Sequence, residues 1–189
     1  KLHDLFRESI NRANEAVSKK NPDLDEKQRE EVAKLVGIGA VKFADLSTER
    51  TKDYVFDWER MLSFDGNSAP YLQYAYARIC SIFRRWTGER KEIIGSKFLL
   101  HHPDEIYLSR KLVDFPSILE ESIRSFNPHK LCFHLLSIAS SFATFYENCK
   151  VLNPDDENSK LSRLSLCDLT ARQLQLGLGL LGIGLPERM

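Results

Sequence analysis

Gly66-Asn67-Ser68-Ala69-Pro70-Tyr71-Leu72-Gln73-Tyr74-Ala75-Tyr76-Ala77-Arg78-Ile79-Cys80-Ser81-Ile82-Phe83-Arg84-Arg85 reads as a turn that opens an amphipathic helix. The helix is predicted to begin at Ser68, with Pro70 in its first turn, where a missing N–H does no harm. Advancing about 100° per residue from Tyr71 puts Leu72, Tyr76, Ile79 and Phe83 on one stripe, roughly 80–140° round the helix. That stripe is the predicted core face. Tyr71, Tyr74, Arg78 and Arg85 fall between roughly −60° and zero, on its flank. Phenol rings beside guanidinium groups make a platform on which an unstacked base rests while a phosphate is neutralised. From spacing alone a plainer reading stays open: an amphipathic helix with rim tyrosines and arginines whose stems lie along the core.

Working outward, helical patterns continue in both directions. His3 to Lys20 is polar-rich and amphipathic and stops at Asn21-Pro22. Asp25 is placed to cap a second helix carrying Val32, Leu35, Val36 and Ile38. Gly37 and Gly39 are expected to weaken its end, with Val41 to Leu46 as a continuation. Tyr54-Val55-Phe56-Asp57-Trp58 reads as a short extended piece. The tyrosine helix is expected to stop near Gly88. A long helix opens at His102-Pro103-Asp104-Glu105, and Pro116 is expected to kink or restart it. Residues 129–150 form a strongly apolar helix, Asn153-Pro154-Asp155-Asp156 an acidic loop, and a last helix runs from about Ser159 into the Leu-Gly-rich stretch 176–185. The fold class is therefore all-α: a helical bundle with an N-terminal helical segment, the break falling near residue 65.

The bulk properties suit a globular chain with one good core: 42% hydrophobic and 29% charged residues, and no apolar run of membrane-spanning length. The chain opens on Lys1 with no signal-peptide pattern, so it reads as a piece of something longer. Net charge is zero, and no nucleic-acid partner follows from the global balance. Between Tyr71 and Leu100, however, six basic residues face two acidic ones, and the excess falls on the tyrosine helix. Cys80, Cys132, Cys149 and Cys167 are far apart in sequence, which argues against structural zinc and for buried thiols.

Other chemistry is weakly signalled. His101, His102 and Asp104 lie together, but a helix start accounts for the acids better than a metal does. No nucleophile–base arrangement is readable, so no catalytic residue is assigned. No Gly-x-x-x-x-Gly-Lys-Ser/Thr or Gly-x-Gly-x-x-Gly loop occurs, and the leucines within the glycine run 176–184 make it a packed helix end. Lys42, Asp45, Glu49, Arg50 and Asp53 read as a solvated face.

Four further blocks bear on function: Phe43-Ala44-Asp45-Leu46-Ser47-Thr48-Glu49-Arg50, the run Asp53–Leu62, Ser162-Arg163-Leu164-Ser165-Leu166-Cys167, and the ending Leu180–Met189. Together with Gly66–Arg78 they closely resemble the C-terminal half of arginyl-tRNA synthetases, in order and over nearly the whole chain. The resemblance implies that residues 1–65 are the tail of a class I catalytic domain and 66–189 a DALR-type anticodon-binding bundle. It implies a parent enzyme that joins arginine to its tRNA using ATP with magnesium. The His-x-Gly-His and Lys-Met-Ser-Lys-like motifs of that chemistry are missing from these residues and are expected before Lys1. This piece is accordingly expected to bind tRNA, to hold no cofactor and to be inactive in adenylation.

The same resemblance implies the site residues Tyr71, Tyr74, Arg78, Tyr146 and Met189; Arg85 is added from the helical angle. Some members carry a tryptophan where this chain has Lys150. The implied partners are the anticodon loop of the arginine tRNA, the catalytic domain in cis and, in the full-length enzyme only, arginine and ATP. No membrane partner is implied, and the location is cytoplasmic. The rival reading is a helical protein-interaction module without RNA binding.

Overall fold

The computed structural model describes residues 1–53, 55–154 and 157–189. Among them are eight helices and no strand. They are α1 (Leu2–Lys20), α2 (Glu26–Leu46), α3 (Trp58–Met61), α4 (Ala69–Arg85), α5 (Arg90–Ile93), α6 (Pro103–Ser125), α7 (Pro128–Asn148) and α8 (Glu157–Leu180). Their starts follow local chemistry. The Asp25 carboxylate accepts from the Gln28 N–H at 2.8 Å, and the Ser68 hydroxyl from the Tyr71 N–H at 3.2 Å. Asp57 caps α3, accepting from the Glu59 and Arg60 amides. Of the expected extended piece, Asp57 has extended backbone (φ −145°, ψ 112°) but Val55–Asp57 form no strand, Trp58 already opens α3, and Tyr54 lies outside the described residues. So do Asp155 and Asp156 of the expected acidic loop.

The main core is built from α4, α6, α7 and α8, with Leu72, Ile79, Ile82, Leu108, Leu135, Phe142, Phe145 and Leu164 buried together. Phe43 of α2 joins it. A smaller cluster closes the N-terminal pair: Ala13, Val17, Leu24, Val32, Ala33 and Val36, with Phe64 and Met189 packed on its edge. The last residue of the chain thus covers the core of the first two helices.

Packing carries two helices past residues that disfavour them. Past Gly37 and Gly39 the helix α2 runs unbroken to Leu46, the expected continuation. Gly37 lets α1 approach so closely that a Cβ there would lie 2.8 Å from the Ile10 Cα, and the Ser9 hydroxyl donates to the Gly37 carbonyl at 2.8 Å. Tertiary contact outweighs the roughly 1 kcal/mol a helical glycine costs. α6 does not restart at Pro116 but runs through it from Pro103 to Ser125. A proline there supplies no N–H to the carbonyl of Leu112. That carbonyl instead accepts from Gln173 Nε2 of α8 at 2.8 Å. Gln173→Leu is therefore expected to leave a buried acceptor unpaired and to lower stability by about 1–3 kcal/mol, measured by urea unfolding. A smaller difference is that α4 ends at Arg85 rather than near Gly88.

The C-terminal tail is pinned to both parts of the chain. Gly182, with φ +67°, turns it back after α8. Lys42 Nζ then donates to the Gly182 carbonyl at 2.5 Å, and buried Gln73 Nε2 to those of Gly184 at 2.7 Å and Leu35 at 3.1 Å. Arg84 Nη1 holds the Glu187 carbonyl at 2.9 Å. These bonds fix where Met189 arrives. Lys42, expected on a solvated face, is thus part of this tie.

Candidate nucleic-acid interface

The flank of α4 meets the last turns of α7 on one side and the end of α1 on the other. Tyr74 and Arg78 stand one turn apart on α4, both half-buried. The Arg78 guanidinium carbon lies 5.7 Å from the centre of the Tyr74 ring and 4.8 Å from that of Tyr146. A planar cation is thereby held against two phenol rings, each contact worth about 0.5–1 kcal/mol at an accessible site. Tyr146 is braced from behind by buried Phe142, whose ring lies 5.9 Å away and inclined by 29°. Arg85 Nη2 donates to the Tyr146 hydroxyl at 3.2 Å.

Two clefts open on either side of this group. One, of about 430 Å³, is lined by Tyr74, Arg78, Ser81, Arg84, Asn21, Arg188 and Met189, with no Asp or Glu side chain in its wall. The other, of about 500 Å³, is lined by Arg85, Tyr146, Lys150 and Asn153 over a floor of Ile82, Cys149, Val151 and Leu152. A larger groove of about 900 Å³ lies between α2 and the α6–α7 pair. Its wall sets Glu49, Asp53, Asp57 and Glu121 against Lys52, Arg60 and Lys130, so it offers no attracting field to an anion.

The structure therefore brings together Tyr74, Arg78, Arg85, Tyr146 and, through the pinned tail, Met189. Tyr71 stands apart: it lines neither cleft and packs half-buried against the main core. Burial pushes its phenol up from the usual value, partly offset by a hydrogen bond with Ser140, so the ring stays protonated and neutral. Tyr76 and Phe83, placed on the core stripe, are only partly buried, and Tyr76 is pushed up to about 12 by burial first.

Sequence reasoning missed Lys20, Phe64, Arg84 and Arg188. Lys20 Nζ sits 4.8 Å from the Tyr74 ring centre and 5.8 Å from that of Phe64, whose ring meets Tyr74 edge-on at 6.4 Å. Lys20 and Phe64 belong to other elements than α4, and no helical angle relates them to it. Arg188 adjoins the expected site residue Met189, and Arg84 enters the sequence reading only through the basic excess.

Elsewhere the acids have structural duties. Glu105 and His102 form a capping box at the start of α6, and Asp104 accepts from Asn148 Nδ2 at 2.8 Å. Among the described residues no three His, Cys, Asp or Glu side chains gather as a metal-binding group. The glycine run is packed only in part: a Cβ on Gly177 would meet Leu135 at 2.5 Å and one on Gly184 Leu35 at 2.5 Å, while Gly179 faces open space and Leu176 and Leu180 are exposed. No helix among the described residues is long and apolar enough to cross a membrane.

Comparison with known proteins gives a consistent picture. Residues 72–189 match the DALR anticodon binding domain, and residues 1–58 match the class I (R) tRNA synthetase catalytic domain. The chain is 51% identical over 189 residues to the arginine–tRNA ligase of Shewanella putrefaciens, and 50% identical over 190 residues to that of Cellvibrio japonicus. All of the chain is covered, but only 32% and 33% of those proteins, so it spans about a third of the length of the curated relatives it matches. Among solved structures, arginyl-tRNA synthetase of Thermus thermophilus superposes with a TM-score of 0.88 at 35% identity. That of Plasmodium falciparum gives 0.87 at 33%. Each match covers the whole chain, and 32% and 34% of the respective structure. With the family model spanning most of its length, the chain belongs to the DALR anticodon-binding domain family, joined at its N-terminal side to a piece of class I catalytic domain.

Proposed function

We propose that this chain is the anticodon-reading part of an arginine–tRNA ligase, whose full-length form uses ATP to attach arginine to its tRNA in the cytoplasm. Residues 66–189 act as the reading module. Residues 1–65 close the catalytic domain that works in cis and also shape one wall of the anticodon cleft. The observation that carries the reading is the Arg78 guanidinium held between Tyr74 and Tyr146, at the mouth of a cleft whose charged side chains are all cationic.

In this reading the bases of an opened loop stack on Tyr74 and Tyr146, and Met189 gives an apolar contact. Arg78 and Arg85 neutralise phosphates or meet base edges, and Tyr71 supports the first turn of α4 from its half-buried place. Stacking of one base on one ring contributes about 1–3 kcal/mol. Because the rings and Arg78 are already assembled, little ordering is left to oppose binding.

Fluorescence anisotropy with an arginine anticodon stem-loop tests this. Binding is expected at 50 mM salt and should weaken about tenfold or more by 200 mM, as phosphate contacts require. Absence of binding at the lower salt would favour the protein-interaction module instead.

A further inference from the structure

The geometry points to Lys20 as a phosphate ligand that lies over the Tyr74 ring until RNA arrives and then moves to the backbone of the incoming loop. This rests on the anticodon-reading function proposed above. Lys20 is the last residue of α1, exposed, and separated from Tyr74 by more than fifty residues of chain. Its ammonium lies 4.8 Å from the ring centre of Tyr74 and 5.8 Å from that of Phe64. Among the described residues it forms no ion pair. Asn21, the next residue, lines the cationic cleft with Arg78 and Met189.

Two cations thus approach one phenol, and they differ in freedom. Arg78 is held against a second ring, 4.8 Å away. Lys20 ends a flexible four-carbon stem and is the one able to leave. A base stacking flat on Tyr74 needs about 3.5 Å of clearance from the ring, so the face under Lys20 is open only once the ammonium has moved aside. An exposed cation–π contact is worth about as little as an ordinary surface ion pair and is readily exchanged for a phosphate oxygen. The N-terminal segment therefore contributes its own charge to anticodon binding, and Lys20 links the two parts of the chain at the site.

The test uses the whole 189-residue chain and the same anticodon stem-loop, comparing parent, Lys20→Ala and Lys20→Arg. The logarithm of the affinity is measured against the logarithm of salt concentration. Losing one phosphate contact should flatten the slope by about 0.7, so that from 50 to 200 mM salt the parent loses about 2.6-fold more affinity than Lys20→Ala. The two lines should meet towards 1 M salt, and Lys20→Arg should keep the parent slope. Equal slopes for parent and Lys20→Ala would overturn the role of Lys20 while leaving the proposed function standing. No binding by the parent chain at low salt would overturn both.

Discussion

Replacing Arg163 by methionine is expected to lower the stability of this chain by about 3–5 kcal/mol, towards the lower end because the guanidinium is 17% exposed. The reason is the carboxylate it would leave behind. Glu105 is 1% exposed. Its Oε1 accepts from Arg163 Nε at 2.6 Å, and its Oε2 from the His101 and His102 amides at 2.8 and 2.9 Å. Arg163 also donates from Nη1 to the Lys150 carbonyl at 2.9 Å. One ion pair thereby ties the start of α6, the end of α7 and the start of α8. Its loss would loosen the turn that positions Tyr146, so anticodon binding should weaken with stability. Glu105→Gln, which keeps an oxygen for the amides, should rescue part of the loss in the Arg163→Met background, a coupling that a double-mutant cycle reads directly.

The same hub sets an acid limit. Burial is the largest influence on Glu105 and opposes ionisation, but the donations from His102, Arg163 and His101 together outweigh it. The folded-state pKa is thus below the ordinary 4.5. A carboxylate depressed in the folded state stabilises fully above its unfolded value and loses that contribution as pH falls through the folded one. Acid unfolding of the parent chain should therefore steepen below pH 4.5. In Arg163→Met it should begin at a higher pH, because burial then acts with one opposing donor fewer.

Tyr74→Ala is expected to weaken binding of the anticodon stem-loop ten- to a hundredfold, about 1–3 kcal/mol, by removing a stacking surface. The substitution also frees both cations that lie over the ring, Lys20 and Arg78, and removes the edge contact with Phe64. Tyr74→Phe keeps the ring and should stay within a few-fold of the parent. Affinity measured by anisotropy, alongside the unfolding midpoint of each variant, separates lost stacking from lost fold. Parent-like affinity in Tyr74→Ala would remove Tyr74 from the site.

The helices were legible because their signals are local. The cap at Ser68, the proline in the first turn and the 3.6-residue stripe of α4 need no knowledge of the rest of the chain. The angle round the helix also separates Tyr74 and Arg78 from buried Leu72 and Ile79. It could not tell Tyr71 from Tyr74. Both share a flank of the helix, but the packing of α7 against α4 brings Tyr71 to the core near Ser140 and leaves Tyr74 at the cleft. The continuity of α6 depends on Gln173, 57 positions beyond Pro116, and was illegible for the same reason. Lys20 reaches the site because Gly37 and Ser9 draw α1 close against α2, a contact that no periodicity within α1 encodes.

The most direct test of the central claim is a titration of the isotopically labelled chain with the arginine anticodon stem-loop, followed by NMR. The ring signals of Tyr74 and Tyr146 and the Nε–H of Arg78 are expected to shift together and saturate at one equivalent. Those of Tyr107, which is 53% exposed on α6 and lines neither cleft, should stay in place. Saturable shifts at Tyr107 or elsewhere, with the Tyr74–Arg78–Tyr146 group silent, would contradict the claim that this group receives the RNA.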